Sequence, residues 1–188
     1  MTCAHFTLFH TPLGVCAIAW RNGKVCGSHL PEATQELTAS RMAKRAGGAE
    51  PGTPPEFVKK AIAGILELLS GKSNDLTSVD CDFTGIGDFP AKVYHLSRAI
   101  KPGQTRTYGD LAIELGDRAY AQGVGRALGA NPFPIIVPCH RILGAGGKLT
   151  GFSAGGGVNT KLKLLEIEQA QIGPALALFG ALPLAVKK

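Results

Sequence analysis

The chain has 188 residues, 45% of them hydrophobic and 18% charged, with a formal net charge of +6. That length suits one domain or two small ones with a sizeable core, and the composition excludes a disordered chain. No apolar run approaches the ~18 residues of a membrane span, residues 1–8 lack a signal-peptide pattern, and the five cysteines form no Cys-x-x-Cys pair. A membrane span and a disulfide framework are thereby excluded, and a reducing, cytoplasmic compartment is expected.

Residues 6–10, 15–20 and 24–29 alternate or run apolar between the turn signals Thr11-Pro12-Leu13-Gly14 and Arg21-Asn22-Gly23. They predict a small antiparallel meander with Asn22-Gly23 as a hairpin turn. Residues 30–54 predict a helix plus loop, residues 57–69 an amphipathic helix closed by Gly71, and residues 79–83 another strand. Nothing in residues 1–85 forms a chemical motif. From Pro90 the texture changes. Residues 91–100 predict a helix, followed by the turn Lys101-Pro102-Gly103. Thr107-Tyr108-Gly109-Asp110 has the capping-box pattern and opens a short helix to Leu115. Gly116-Asp117 breaks it, and residues 118–130 resume helical texture, giving the helix-turn-helix pattern.

The second of these helices holds Gly123, Gly125 and Gly129 beside Ala121, Ala127 and Ala130. Each interior Gly costs a helix about 1 kcal/mol relative to Ala. Such a helix is expected to bring its backbone close to another surface, either a packed helix or a narrow nucleic-acid groove. Asn131-Pro132-Phe133-Pro134 ends it. An apolar run then reads as a strand stopping at Pro138, followed by Cys139-His140-Arg141, a Gly-rich loop over 144–157, a helix over 160–170 and an apolar tail over 171–188.

Charge is unevenly placed. Residues 1–100 carry ten Lys/Arg against nine Asp/Glu, and residues 101–188 carry ten against five. Between Asp117 and Glu166 there is no acidic residue, while Arg118, Arg126, Arg141, Lys148, Lys161 and Lys163 fall there. A polyanionic partner fits that stretch; a modestly basic surface without a ligand is the plainer reading. Cys139 lies within it. A thiol is a weak nucleophile until it loses its proton, which a neighbouring base or positive charge eases. Behind a strand-ending proline, Cys139 reads as a presented nucleophile rather than a small core filler.

Tyr108, the run Asn131-Pro132-Phe133-Pro134-Ile135-Ile136-Val137-Pro138-Cys139-His140-Arg141, then Gly151-Phe152-Ser153, then Leu164-Leu165-Glu166-Ile167-Glu168 resemble the O6-alkylguanine-DNA alkyltransferases. The resemblance is continuous from about Phe89 to Glu168 and weak before it. It implies a ribonuclease H-like α/β domain over 1–85, with a small antiparallel sheet and helices, and a mostly α domain over 86–170 with the helix-turn-helix and the acceptor. It also implies a suicide reaction without cofactor or metal. A monomer would bind double-stranded DNA through the minor groove and flip out O6-alkylguanine (or O4-alkylthymine), and Cys139 would keep the alkyl group. A nucleoid-associated, cytoplasmic location would follow.

Position by position, the resemblance makes His140 the base through a water and Glu168 its holder. Asn131 would brace the turn, and Tyr108 would donate to the flipped base. Pro134 and Phe152 would wall the pocket, Leu128 would help set its size, the Cys139 and Ile142 carbonyls would accept from the guanine amino group, and the Ser153 amide would serve O6. Arg118, Tyr120, Gln122, Gly123, Arg126 and Gly129 would face DNA, and Arg141 is read as structural or phosphate-facing.

Three departures stand out. Nine residues before Asn131 the family usually has an Arg that enters the base stack; here it is Gln122, which lacks the planar cationic face, so weaker flipping or DNA affinity is expected, with Arg118 or Tyr120 as possible compensation. Cys3, Cys16, Cys26, His5, His10 and His29 do not have zinc-ligand spacing, although some members carry zinc. The four-cysteine module of regulatory relatives is missing. Two other readings remain: a lesion-flagging protein of the same fold with weak or no repair, and a Cys-His hydrolase. Against the second, neighbours on a strand point to opposite faces, so Cys139 and His140 are poorly placed for direct contact.

Overall fold

The computed structural model describes residues 4–150 and 156–170. The meander forms as expected: β1 (His5–Thr11), β2 (Gly14–Arg21) and β3 (Lys24–His29) pair antiparallel. Asn22 and Gly23 both have positive φ, 51° and 75°. That is the backbone of a two-residue turn whose twist matches the strands it joins. The central strand β2 is buried on both faces, and its alternation sorts its side chains. Ala17 and Ala19 pack with Met42 and Ala46 on the side of α1 (Gln35–Arg45), while Cys16, Ile18 and Trp20 pack with Val58, Ala61 and Ile65 of α2 (Glu56–Leu69). Small residues on one face let α1 sit close; large ones fill the space under α2. Gly71, at φ 83°, lies just beyond α2.

Two expectations about strands need correction. The sheet is mixed rather than purely antiparallel, because β4 (Glu50–Pro51) joins β1 in parallel and gives the order β3-β2-β1-β4. Its two residues are too few to leave a periodic signal. Residues 79–83 form no strand: Cys81 makes a single bridge to Val25, closed by the Asp80 carbonyl and the Asp82 amide, while the Asp82 side chain bonds the Thr84 amide and the Arg21 guanidinium.

The second half holds α3 (Asp88–Arg98), β5 (Arg106–Thr107), α4 (Tyr108–Glu114), a 3-10 turn at Arg118–Tyr120, α5 (Ala121–Gly129), β6 (Ile142–Leu143) and α6 (Gly157–Ile167). The capping box is complete: the Asp110 amide donates to Thr107 Oγ1 at 3.1 Å and the Thr107 amide to Asp110 Oδ2 at 2.7 Å. Thr107 also pairs with Leu143 in the two-stranded β5–β6 ladder, which ties the start of α4 to the segment after Cys139. The main core runs from Cys16 and Ile18 through Val93, Leu111, Val124 and Phe133 to Leu164, so the two halves share one apolar interior.

The glycines of α5 have separate reasons. A Cβ on Gly123 would lie 3.1 Å from Phe89, so this half-buried residue lets α5 pack on α3. Gly125 lies against the Tyr108 ring. Gly129 is exposed, and a Cβ there would meet nothing within 4 Å among the described residues.

Candidate active site

The apolar run before Cys139 is a braced turn, not the expected strand. Pro132, Pro134 and Pro138 remove three N–H donors within seven residues, so a ladder cannot form. Ile135 adopts φ 75°, a conformation that a β-branched residue holds only under constraint. Asn131 supplies part of the constraint. Its side chain is buried, donates from Nδ2 to the Val137 carbonyl at 2.9 Å and accepts the Phe133 amide at Oδ1, also at 2.9 Å. Val137 and Phe133 are bonded as well, through N and O at 2.7 Å.

Cys139 opens a 3-10 turn, Cys139–Arg141, and is half-buried. The strand-alternation argument against contact between Cys139 and His140 therefore does not apply. Burial pushes the Cys139 thiol up, opposed by the Asn131 side chain and by the charge of Lys161. The resting group is consequently a thiol, and a base is needed to activate it.

His140 is fully buried, and its Nε2 lies 2.9 Å from Glu168 Oε1. Burial pulls the imidazole below its ordinary value despite that carboxylate, so it is neutral near pH 7. Burial works against ionisation of Glu168, but hydrogen bonds from His140 and Arg141 outweigh it and pull the carboxyl down to about 2. An ionised Glu168 can only accept, so Nε2 carries the proton and Nδ1 keeps its lone pair. Nδ1 is buried with no hydrogen-bond partner among the described residues.

Arg141 does not face a phosphate. It is 1% exposed, forks onto both Glu168 oxygens at 2.8 and 2.7 Å, and donates from Nη1 to the Ile100 carbonyl at 2.6 Å. The planar guanidinium matches the carboxylate in a way no lysine could. Arg141 thereby anchors the turn after Cys139 to the ends of α3 and α6.

Lys161 went unnoticed in the sequence except as one more basic residue. It is fully buried on α6 and donates from Nζ to the carbonyls of Ile142 and Thr150 at 2.6 and 3.0 Å. Its ammonium lies 5.9 Å from the Tyr108 ring centroid, and burial lowers it to about 8. The usable signal was spacing. Lys161, Leu165 and Glu168 recur at helical intervals, so one face carries a cation, a core leucine and the His140 partner. Tyr108 is half-buried, with its hydroxyl 3.4 Å from the Thr150 carbonyl; burial pushes it up, and a Cys139 thiolate would push it further.

Leu128, Pro134 and Ile142 are buried around this turn. Phe152 and Ser153 lie outside the described residues. Arg118, Tyr120, Gln122, Arg126 and Gly129 are all exposed, and 122, 126 and 129 share one face of α5 by spacing. The Tyr120 ring is held edge-on by Phe89 at 5.7 Å. No helix among the described residues is long and apolar enough to cross a membrane, and no group of three or more His, Cys, Asp or Glu there could hold a metal ion.

The fold and site define a thiol-nucleophile protein, with its cysteine next in sequence to a neutral, carboxylate-held imidazole. Comparison sharpens this. The family model for the 6-O-methylguanine DNA methyltransferase DNA binding domain matches residues 88–170. A methylated-DNA–protein-cysteine methyltransferase of Mycobacterium tuberculosis is 34% identical over 177 residues, 93% of this chain and 98% of that protein. The crystal structure of the M. tuberculosis O6-methylguanine methyltransferase superposes with a TM-score of 0.71 at 33% identity, covering 94% of this chain and 99% of that one. A crystal structure of the M. tuberculosis protein in complex with DNA gives 0.71 at 31% identity, covering 93% and 99%. The chain belongs to the methylated-DNA–protein-cysteine methyltransferase family.

Proposed function

We propose that the protein repairs DNA by direct reversal, moving an alkyl group from O6 of guanine, or O4 of thymine, irreversibly onto Cys139. The observation that carries this is the Cys139–His140–Glu168 arrangement: a protonated thiol next to a buried imidazole whose Nδ1 is left able to accept. In the reaction the thiol proton passes to His140, through a water in the reading adopted here. The sulfur attacks the alkyl carbon in line as the carbon–O6 bond breaks. Guanine recovers its O6 carbonyl and takes up one proton on its ring, balancing the one lost by Cys139. Tyr108 donates to the base as negative charge builds up on it, and the Lys161 ammonium favours both the thiolate and the charge developing on the base. The thioether has no route back, so each molecule acts once and no cofactor takes part.

The target atom lies inside the base stack, so the nucleotide must be flipped into the site. We read residues 1–85 as a ribonuclease H-like unit, residues 86–170 as the DNA-binding and acceptor unit, and α4–α5 as a helix-turn-helix. Its exposed face, with Arg118, Tyr120, Gln122 and Arg126, lies along the minor groove of duplex DNA. Binding there by a monomer, within the cytoplasmic nucleoid, rests mainly on phosphate contacts and weakens as salt rises. Leu128, Pro134 and Ile142 line the base pocket. Turnover separates the readings: with excess O6-methylguanine duplex, one methyl group is taken per protein and then none. Repeated turnover on a model ester would indicate a hydrolase, and tight lesion binding without transfer a flagging protein.

Gln122 sets a second expectation. A Gln can hydrogen-bond an orphaned cytosine but cannot stack on neighbouring bases as a guanidinium does. Gln122→Arg is expected to raise the single-turnover rate on duplex DNA about tenfold while leaving the reaction with the free alkylated base unchanged. An unchanged duplex rate would show that Gln122 does not limit flipping.

A further inference from the structure

The turn that carries Asn131 and leads to Cys139 is held from outside as well as from within. Three hydrogen bonds reach its backbone carbonyls from the first half of the chain. The Ser28 amide donates to the Pro132 carbonyl at 2.9 Å, and Ser28 Oγ to the Pro134 carbonyl at 2.7 Å. Arg45 Nη2 donates to the Asn131 carbonyl at 2.8 Å. The approach is close enough that a Cβ on Gly27 would stand 3.3 Å from the Pro132 carbonyl oxygen. A segment with Ile135 in the left-handed region keeps that shape only where its surroundings over-determine it.

Arg45 is itself held in place. It is the last residue of α1, and its Nη1 lies 3.4 Å from His29 Nδ1; His29 Nε2 lies 3.0 Å from Glu32 Oε1, which also meets Arg41 Nη1 at 3.0 Å. Burial lowers His29, so the ring is neutral and one tautomer satisfies both contacts: Nε2–H donates to Glu32 and Nδ1 accepts from Arg45. A carboxylate, an imidazole and a guanidinium thus run in line from the first half of the chain to the carbonyl of Asn131. The side chain of that same residue braces Val137 and Phe133 beside Cys139 and eases ionisation of the thiol.

We infer that Arg45 is a positioning residue for alkyl acceptance: by clamping the Asn131 carbonyl it fixes the Asn131 side chain against Cys139, and the chain Glu32–His29–Arg45 is how the first half of the molecule acts on the nucleophile. The inference rests on the function proposed above for its alkyl-transfer readout, but not for its effect on the thiol. Arg45 also keeps part of its surface in solvent, where it could instead meet a DNA phosphate, and the experiment separates these roles.

Arg45→Ala and Arg45→Lys would be measured in the full-length chain for three quantities. These are the alkyl-transfer rate at saturating duplex DNA, the duplex dissociation constant, and the pH–rate profile of Cys139 modification by iodoacetamide, which needs no DNA. Arg45→Ala is expected to slow saturated transfer about tenfold and to move the iodoacetamide profile to higher pH, with the dissociation constant unchanged. Arg45→Lys should recover part of both, since an ammonium can still donate to the carbonyl. An unmoved profile with an unchanged rate overturns the inference; so does a loss confined to the dissociation constant, which would make Arg45 a phosphate contact. Should Arg45→Ala fail to fold, Arg45→Lys carries the same test with smaller shifts in the same direction. Should the unsubstituted protein transfer no alkyl group, the function reading fails, and the iodoacetamide profile still decides the role of Arg45.

Discussion

Glu168→Gln is expected to destabilise the protein by about 3 kcal/mol or more, because it leaves Arg141 charged, buried and without its counter-ion. The carboxylate is the shared partner of His140 Nε2, Arg141 Nε and Arg141 Nη2, and its side chain is 1% exposed. An amide cannot accept from all three. Its NH2 would face either the guanidinium or the imidazole, and in the second case the proton on Nε2 is displaced and Nδ1 ceases to be the basic atom. The saturated alkyl-transfer rate should therefore fall about a hundredfold, beyond any loss of folded protein. The acid limb of stability should change with it. Glu168 has its carboxyl lowered from 4.5 to about 2 in the folded protein, so its contribution is complete above the unfolded value and disappears as pH falls through the folded one. The variant loses that segment of the pH dependence. Urea unfolding from neutral pH down to about 2 reads it directly; curves of equal midpoint and equal acid slope would show that the carboxylate does not hold the site together.

Asn131→Ala carries the other large effect. It removes one of two donors to the Val137 carbonyl and the acceptor of the Phe133 amide together, and both residues are buried. The Val137 carbonyl keeps the Cys139 amide at 2.8 Å, but the Phe133 amide is left unsatisfied, for an expected loss of about 1–3 kcal/mol. The turn would also lose an inner brace against the strain at Ile135, and the thiol would lose a neighbour that eases its ionisation. Transfer should slow about a hundredfold at saturating DNA, with duplex affinity nearly unchanged because Asn131 is buried, away from the exposed face of α5. Comparable losses in affinity and rate would mean that Asn131 shapes the DNA surface rather than the nucleophile.

Much of this was legible in the chain because the signals were local. Asn22-Gly23 can hardly be anything but a tight hairpin turn, and Thr107 with Asp110 writes its own cap. The Pro-Cys-His-Arg run marked the nucleophile. What escaped was tertiary. The segment before Cys139 looked like a strand by apolar content alone; its three prolines pointed the other way, and the deciding contacts come from Ser28 and Arg45, about a hundred residues earlier. Arg141 read as either structural or phosphate-facing because it is basic and lies in an acid-free stretch; what decides between them is its counter-ion Glu168, 27 residues on. Lys161 hid for the same reason: helical spacing placed it inward, but formal charge drew attention to the surface. Gly123 read as suited either to a packed helix or to a nucleic-acid groove, and its close approach to Phe89 is a contact no single-sequence pattern contains.

The most direct test is to incubate the full chain with a duplex holding one O6-methylguanine, digest it, and map the added mass by peptide mass spectrometry. One methyl group per protein, confined to the peptide that contains Cys139 and accompanied by restored guanine in the DNA, is the result expected. Intact O6-methylguanine with an unmodified Cys139 peptide, or a methyl group on another cysteine such as Cys26, would contradict it.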